Sequence, residues 1–312
     1  MSTIVAGQVA VMFFLIAVGI LCSKSGIFTE EATGPAINLL LLVVAPAIII
    51  SRFMRPATTS NLRLVLLSAA MVIMVTLLGI AIATLLIPKR EGTNYSIERV
   101  TASAANAGFM GIPLVVAALG EEAMIYAAIY VALFQIFSWT FWAKELGGER
   151  YTITAKKILT NPAIISIAVG FVCYALHITL PGLVLNGLDY LANLNTGLSM
   201  IIMGVFLGSI KLKELKFDRY ALWAIFLRLV LIPVVIILVL KLMGVGGWGA
   251  ATSTPIMANI IGTSCPAAVI VILQSKRTGR CDPRYGATMV AASTLLSLIS
   301  LPLVVGFAEK FL

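Results

Sequence analysis

The sequence predicts an all-α integral membrane protein of ten transmembrane helices built as two halves of five, and three observations carry that prediction. The 312 residues are 60% hydrophobic and 11% charged, with a mean hydropathy of +1.06, far outside the range of a water-soluble domain. Stretches free of Asp, Glu, Lys and Arg recur at about 20 residues, the length a helix needs to cross roughly 30 Å of hydrocarbon. Two eight-residue runs of similar design, each opening on Asn and closing on Pro, fall at 106–113 and 259–266, one in each half.

In chain order the predicted spans are 4–23, 32–51, 64–88, 100–120, 123–143, 158–180, 190–210, 220–240, 250–274 and 285–308. The first follows only Met1-Ser2-Thr3, with no basic flank and no small-residue cleavage site before Lys24, so it reads as a retained helix and not a signal peptide. A count of nine or eleven is the alternative, and it turns on two long apolar runs. Within 158–188, Pro181-Gly182 can close a loop; within 242–275, Gly244, Gly246 and Gly247 suggest a turn ahead of the helix.

The net charge of +9 would point to nucleic acid in a soluble protein, so its distribution decides. Connections numbered odd from the N-terminus hold sixteen Lys and Arg; the even connections and the C-terminal tail hold five, and Arg228 lies inside a span. The positive-inside rule then places the odd connections in the cytoplasm and both termini outside, in a cytoplasmic membrane. The basic surplus reflects orientation in the lipid bilayer, and nucleic acid is not implied. Cys22, Cys173, Cys265 and Cys281 make no disulfide framework and read as small buried hydrophobes.

The least hydrophobic stretch, 144–157, divides the chain into a first repeat, 1–143, and a second, 158–312. Five is odd, so the second half must enter the membrane in the opposite sense, the inverted-repeat arrangement common among secondary transporters. The two Asn…Pro runs are offset by 153 residues, and that offset carries the first span onto the sixth and the third onto the eighth. Elsewhere the correspondence is one of hydropathy alone: Pro46 in the second span is matched by Ser199, with Gly197 nearby.

A proline inside a helix removes one backbone bond and repels the carbonyl four residues earlier. Groups freed in this way at membrane depth are tolerated only against protein or a water-filled cavity, so two matched breaks point to a binding site. Small residues, Ala107, Gly108 and Gly111 against Gly262, Thr263 and Ser264, let the broken segments approach and cross. Half-helices starting near Pro113 and Pro266 would present free N–H groups and partial positive charge, a setting for an anion such as a carboxylate. Asn106 and Asn259 add amides and Thr263 and Ser264 hydroxyls, without a buried charge. The competing reading of each proline is a simple kink.

No carboxylate is expected in mid-membrane, since all thirteen acidic residues fall in connections or near helix ends. Arg228 has two readings: a counter-charge or gate for an anion, or, favoured, a packing arginine bonded to backbone carbonyls. The single histidine, His177, stands near the external end of the sixth span and makes no metal site; no cofactor is indicated. Hydrolase, aspartyl-protease and metalloprotease readings lack their bases, paired acids or His-Glu sets.

Residues 106–113 resemble the Asn-x-x-x-Met-Gly-Ile/Leu-Pro run of the auxin efflux carrier family, whose bacterial members include transporters described as malonate or malate permeases. Thr160-Asn161-Pro162, Arg228-Leu229 with Pro233, and Ser293-Thr294-Leu295-Leu296-Ser297 leading to Pro302 are similar to further signatures, so the likeness spans the chain. The resemblance implies ten helices with both termini outside and a fold like the bile-acid sodium symporters and sodium–proton antiporters. It implies a scaffold of spans 1, 2, 6 and 7, a moving domain of spans 3–5 and 8–10, and spans 4 and 9 crossed at their breaks. It also implies a substrate contact at Asn106, crossover prolines at Pro113 and Pro266, elevator-like transport and, as in many relatives, a homodimer. The chain departs from plant members in linking spans five and six by only 14 residues, and Gly197 stands where many relatives carry Pro. The expected activity is carriage of a small organic anion, a mono- or dicarboxylate. An anion channel, a sodium-coupled symporter and a membrane sensor are the rivals; antiport of sodium and protons would need acidic residues near the breaks.

Overall fold

The computed structural model describes residues 1–54, 62–152, 154, 159–209 and 218–312. Part of the predicted linker (153 and 155–157), residue 158 at the start of the second repeat, and the segments 55–61 and 210–217 lie outside the described residues. With them lie Arg55, Lys156, Lys157, Lys211, Lys213 and Lys216, on which the charge asymmetry partly rests.

All regular structure among the described residues is helical. The helices are α1 (Ser2–Lys24), α2 (Glu30–Leu39), α3 (Ala45–Phe53), α4 (Leu62–Leu86), α5 (Asn94–Ser103), α6 (Ile112–Leu119), α7 (Met124–Phe137) and α8 (Ala143–Gly147). They continue as α9 (Pro162–Ala175), α10 (Gly182–Ser209), α11 (Arg219–Phe226), α12 (Ile232–Leu242), α13 (Ala250–Ser264), α14 (Ile270–Thr278) and α15 (Pro283–Phe311). Seven stretches among the described residues are long and apolar enough to cross a membrane: Ser2–Lys24, Glu31–Phe53, Leu62–Leu86, Glu121–Gly147, Gly182–Ser209, Arg219–Leu242 and Pro283–Phe311. Shorter apolar helices and the broken α5–α6 and α13–α14 segments make up the rest.

Prolines follow three of the four wide turns among the described residues. Wide five-residue turns at Leu40–Val44, Ala107–Gly111 and Leu227–Leu231 lead into α3, α6 and α12, whose second residues are Pro46, Pro113 and Pro233. Each ring would strike the carbonyl four residues back, and a π-type turn widens the helix there so that it continues. A fourth wide turn, Ser138–Trp142, has no proline behind it, and nothing in the structure explains it.

Several boundaries depart from expectation. Helix α5 starts at Asn94, six residues ahead of the predicted fourth span, and α10 starts at Gly182 in place of 190, because Pro181-Gly182 opens a helix as well as closing the loop before it. Helix α9 is short, ending at Ala175, and exposed His177 follows in a left-handed conformation (φ 56). The glycine turn appears as read, with Gly244 at φ 69 and Gly249 at φ 99 bracketing a short turn before α13. Glu98 and Asp189 lie inside α5 and α10, not in connections. Fully buried Glu98 pairs with Arg90 and accepts the Tyr285 hydroxyl at 3.0 Å, while Asp189 lies 3.7 Å from Arg52. Cys265 and Cys281 are buried, whereas Cys22 and Cys173 are half-exposed.

The helices pack as two groups. In one, α1 lies along α10, and α2–α3 packs on α9 and α10. A methyl group added to Gly204 would sit 2.1 Å from the Ile16 carbonyl oxygen, and one on Gly19 2.2 Å from that of Ile201, so backbones touch there as small residues allow. In the other group α4 packs on α5, α7 and α13; α11 on α5; and α14 on α8 and α15. The groups meet where α3 and α9 face α7, where α1 faces α6 and α15, and where α10 faces the wide turn at 107–111.

Candidate functional site

The site forms where the two broken segments cross. Helix α5 stops at Ser103 and α13 at Ser264, and the chain then runs extended, with Ala104 at ψ 105 and Cys265 at ψ 152. The extended pieces pair as an antiparallel bridge between Ala105 and Ala267. The Asn106 N–H donates to the Pro266 carbonyl at 2.8 Å, and the Ala268 N–H to that of Ala104 at 2.9 Å. Each break thereby satisfies polar backbone that lipid could not. Ser293, part of the signature run in the last span, accepts the Ala267 N–H at 3.2 Å.

This register corrects the sequence reading. The bridge relates the halves by an offset of 162, where the motif alignment has 153. Pro266 lies in its break, while Pro113 sits seven residues beyond Asn106, within the helix that follows; the crossing is set by where the backbones pair, and a proline in a first helical turn is tolerated anywhere nearby. Asn259 is consequently no counterpart of Asn106. It lies within α13, where its side-chain N–H₂ donates to Ser68 Oγ at 2.9 Å and to the Pro255 carbonyl at 2.8 Å.

Electrostatically the crossing has two ends. Arg228, 1% exposed, donates through Nη1 to the Ala102 and Ser103 carbonyls, each at 3.2 Å, and through Nη2 to the Thr263 carbonyl. These carbonyls end α5 and α13, each carrying about half a negative charge, so one guanidinium roughly balances the pair. Arg228 thus sits among the carbonyl ends. On the other side the intrahelical ladders begin at Met110, donating to Asn106 at 3.0 Å, and at Val271, donating to Ala268 at 3.2 Å. The amides ahead of them have no intrahelical partner, and among the described residues no carboxylate in the cavity wall balances their partial positive charge.

That side opens on a cavity of about 30 Å³ lined by Asn106, Gly108 and Phe109 from one break and Ala268, Val269 and Ile270 from the other. Helix α7 adds Val131, Phe134 and Gln135, α10 adds Asn195, and α2–α3 supplies an apolar wall including Ile37 and Leu41. The cavity therefore lies on the seam between the two helix groups. Asn106 is 3% exposed with its Nδ2 unpaired, and Gln135 is 2% exposed with its Oε1 unpaired. Among the described residues the wall presents one free donor and one free acceptor, and no acidic side chain. Asn195 spans the seam, donating to the Gly108 carbonyl at 2.7 Å.

Of the residues singled out in sequence, Asn106 and Gly108 line this cavity and the others support it. A methyl on Gly111 would lie 3.5 Å from Gly262 Cα, and one on Gly262 2.9 Å from the Tyr130 ring, so these glycines permit the close crossing. The Thr263 hydroxyl lies 3.3 Å from that of Tyr130, and Ser264 donates back to Ile260 at 2.7 Å; both turn away from the cavity wall. Gln135 and Asn195 were missed. Their signal was present: an uncharged amide in mid-span poses the same question as a mid-span arginine.

The profile of a family described as membrane transport protein matches residues 4–157 and 149–305. Comparison with curated proteins finds none that matches.

Proposed function

Since the chain belongs to the membrane transport protein family, that of the auxin efflux carriers, we propose that it is a secondary carrier for a small organic anion, a mono- or dicarboxylate, held at the crossing. One observation carries the reading: two half-helix N-termini and the unpaired Asn106 amide converge on a cavity with no carboxylate among its described lining residues. Arg228 balances the opposite helix ends, so the field at the cavity remains positive and favours an anion over a cation. Asn106 Nδ2 donates to the carboxylate, and Gln135 Oε1 accepts from a hydroxyl or a protonated second carboxyl.

In this reading the helices make ten crossings, α1, α2–α3, α4, α5–α6, α7–α8, α9, α10, α11–α12, α13–α14 and α15, as two inverted repeats about the 144–157 linker. Both termini lie outside a cytoplasmic membrane. The group of α1, α2–α3, α9 and α10 serves as scaffold, and the other group, carrying the crossing, moves along it. A cavity of about 30 Å³ holds a water or two and not an organic acid, so admission of cargo requires the seam to part. That requirement favours alternating access over a standing channel. A second reading, sodium-coupled symport, is favoured by the unpaired Gln135 oxygen, a suitable ligand for a hard cation.

The test is a thermal-stability screen of purified protein against organic acids with and without sodium, followed by counterflow in proteoliposomes. Asn106→Ala removes one charge-assisted hydrogen bond and is expected to weaken binding about 10- to 100-fold while the protein stays folded. Unchanged affinity overturns the site; conductance without saturation or counterflow overturns the carrier.

A further inference from the structure

We propose that Arg277 is an approach site for the anionic cargo at the cytoplasmic mouth of the cavity, and that its bond to Asn38 is what the cargo displaces on its way in; this rests on the carrier reading above. At this end the cavity is lined by Ile37 on α2 and Leu41 in the wide turn that follows it, and by Ile270 and Leu273 on α14. Arg277 follows Leu273 by four residues and so lies one turn further out on the same helix face. Its Nη2 donates at 2.8 Å to Oδ1 of Asn38, the neighbour of Ile37. The bond thus ties the two walls together just beyond the cavity, across the seam that must part. It lies at the end of α14 that the charge asymmetry assigns to the cytoplasm.

The chemistry of the contact distinguishes this arginine from those held in ion pairs, and from neighbouring Arg280, which is half-buried and already donates to the Glu145 carbonyl at 3.0 Å and to Ser96 Oγ and the Tyr95 hydroxyl at 3.4 Å. Arg52, Arg90 and Arg99 each have a carboxylate within 4.0 Å, in Asp189, Glu98 and Glu145. Arg277 is exposed and, among the described residues, takes part in no ion pair; its guanidinium lies 4.7 Å from the Trp139 ring centroid and on a neutral amide oxygen. A carboxylate arriving from solvent makes a shorter, stronger, charge-assisted bond to a guanidinium than an amide oxygen does. The exchange is therefore downhill for an anion and not for a neutral solute, and making it unties α14 from α2. Trp139 keeps the guanidinium plane in place during the exchange. Lys276, with its ammonium 5.6 Å from the Phe206 ring centroid on α10, adds a second cation at the same mouth.

The bland alternative is that Arg277 merely complements the C-terminus of α14, as basic residues in a last turn do. A structural role of that kind changes stability and leaves affinity alone, so the test reads both. Full-length protein is reconstituted, and KM and maximal rate of counterflow are measured with malonate, malate and acetate as probes. Arg277→Gln is expected to raise KM about tenfold at 0.01 M salt with maximal rate unchanged, and less at 0.1 M, where screening shortens from about 30 to about 10 Å. Arg277→Lys retains most of the affinity, and Asn38→Ala, which frees the guanidinium, does not raise KM. Wild-type KM and salt dependence in Arg277→Gln, or a loss confined to its thermal midpoint, overturns the proposal. If Asn106→Ala abolishes transport while Arg277→Gln does not alter KM, only this inference fails. If the wild type responds to none of the acids, the carrier reading fails and takes the inference with it.

Discussion

Replacing Arg228 with Met tests how the crossing is held. The guanidinium is 1% exposed and bonds the carbonyls of Ala102, Ser103 and Thr263, which end two helices with no other cation at the crossing among the described residues. Methionine fills similar volume but leaves three buried acceptors and two helix ends uncompensated. Bonds to a charged group are worth about 1.5–3 kcal/mol each and are not additive, so a loss of about 3–5 kcal/mol is expected. For a chain of this length that corresponds to a fall on the order of 10 °C in thermal midpoint. The assay is thermal unfolding of purified protein in detergent, with Arg228→Lys as the partial rescue, since it keeps the charge and loses the fork. A variant that unfolds at the wild-type temperature refutes the reasoning. One that is stable but no longer binds organic anions would make Arg228 the cargo's counter-charge, the alternative the sequence left open.

Asn259→Ala is expected to cost about 1 kcal/mol of stability, through its bonds to Ser68 and Pro255, and to leave ligand affinity unchanged, the reverse of Asn106→Ala; a loss of affinity equal to that of Asn106→Ala would restore the pair as equivalents. Gly204→Val should prevent α1 and α10 from packing and abolish folded protein on size exclusion, whereas Gly197→Ala, with nothing within 4 Å of the added carbon, should be stabilising by up to about 1 kcal/mol. Cys281 is 4% exposed, donates its thiol to the Leu146 carbonyl at 3.2 Å, and has its pKa pushed up by burial. Its alkylation in the folded protein should be slow at pH 8 and still accelerating as pH rises past 9, since only the thiolate reacts; a rate that levels off below pH 8 would contradict this.

Hydropathy made most of the fold legible, because the preference of a side chain for lipid over water belongs to the residue and sums along a segment. Membrane spans, the glycine turn at 244–249, and the prolines that force wide turns before α3, α6 and α12 all follow from such local properties. Asn106 was found for the same reason, as a polar residue beside a break. The contact of Ala105 with Ala267 was not, nor the turning of Asn259 toward Ser68, nor the three carbonyls gathered by Arg228. Each depends on the register of two segments far apart in the chain. Backbone pairing and close packing of glycines select that register, and neither leaves a mark on the hydropathy of either segment alone. Gln135 and Asn195 belong to the cavity only because α7 and α10 are brought against the crossing. By itself the sequence determined that the chain lives in a membrane and breaks a helix in each half; the tertiary structure decided where the breaks pair and which atoms meet there.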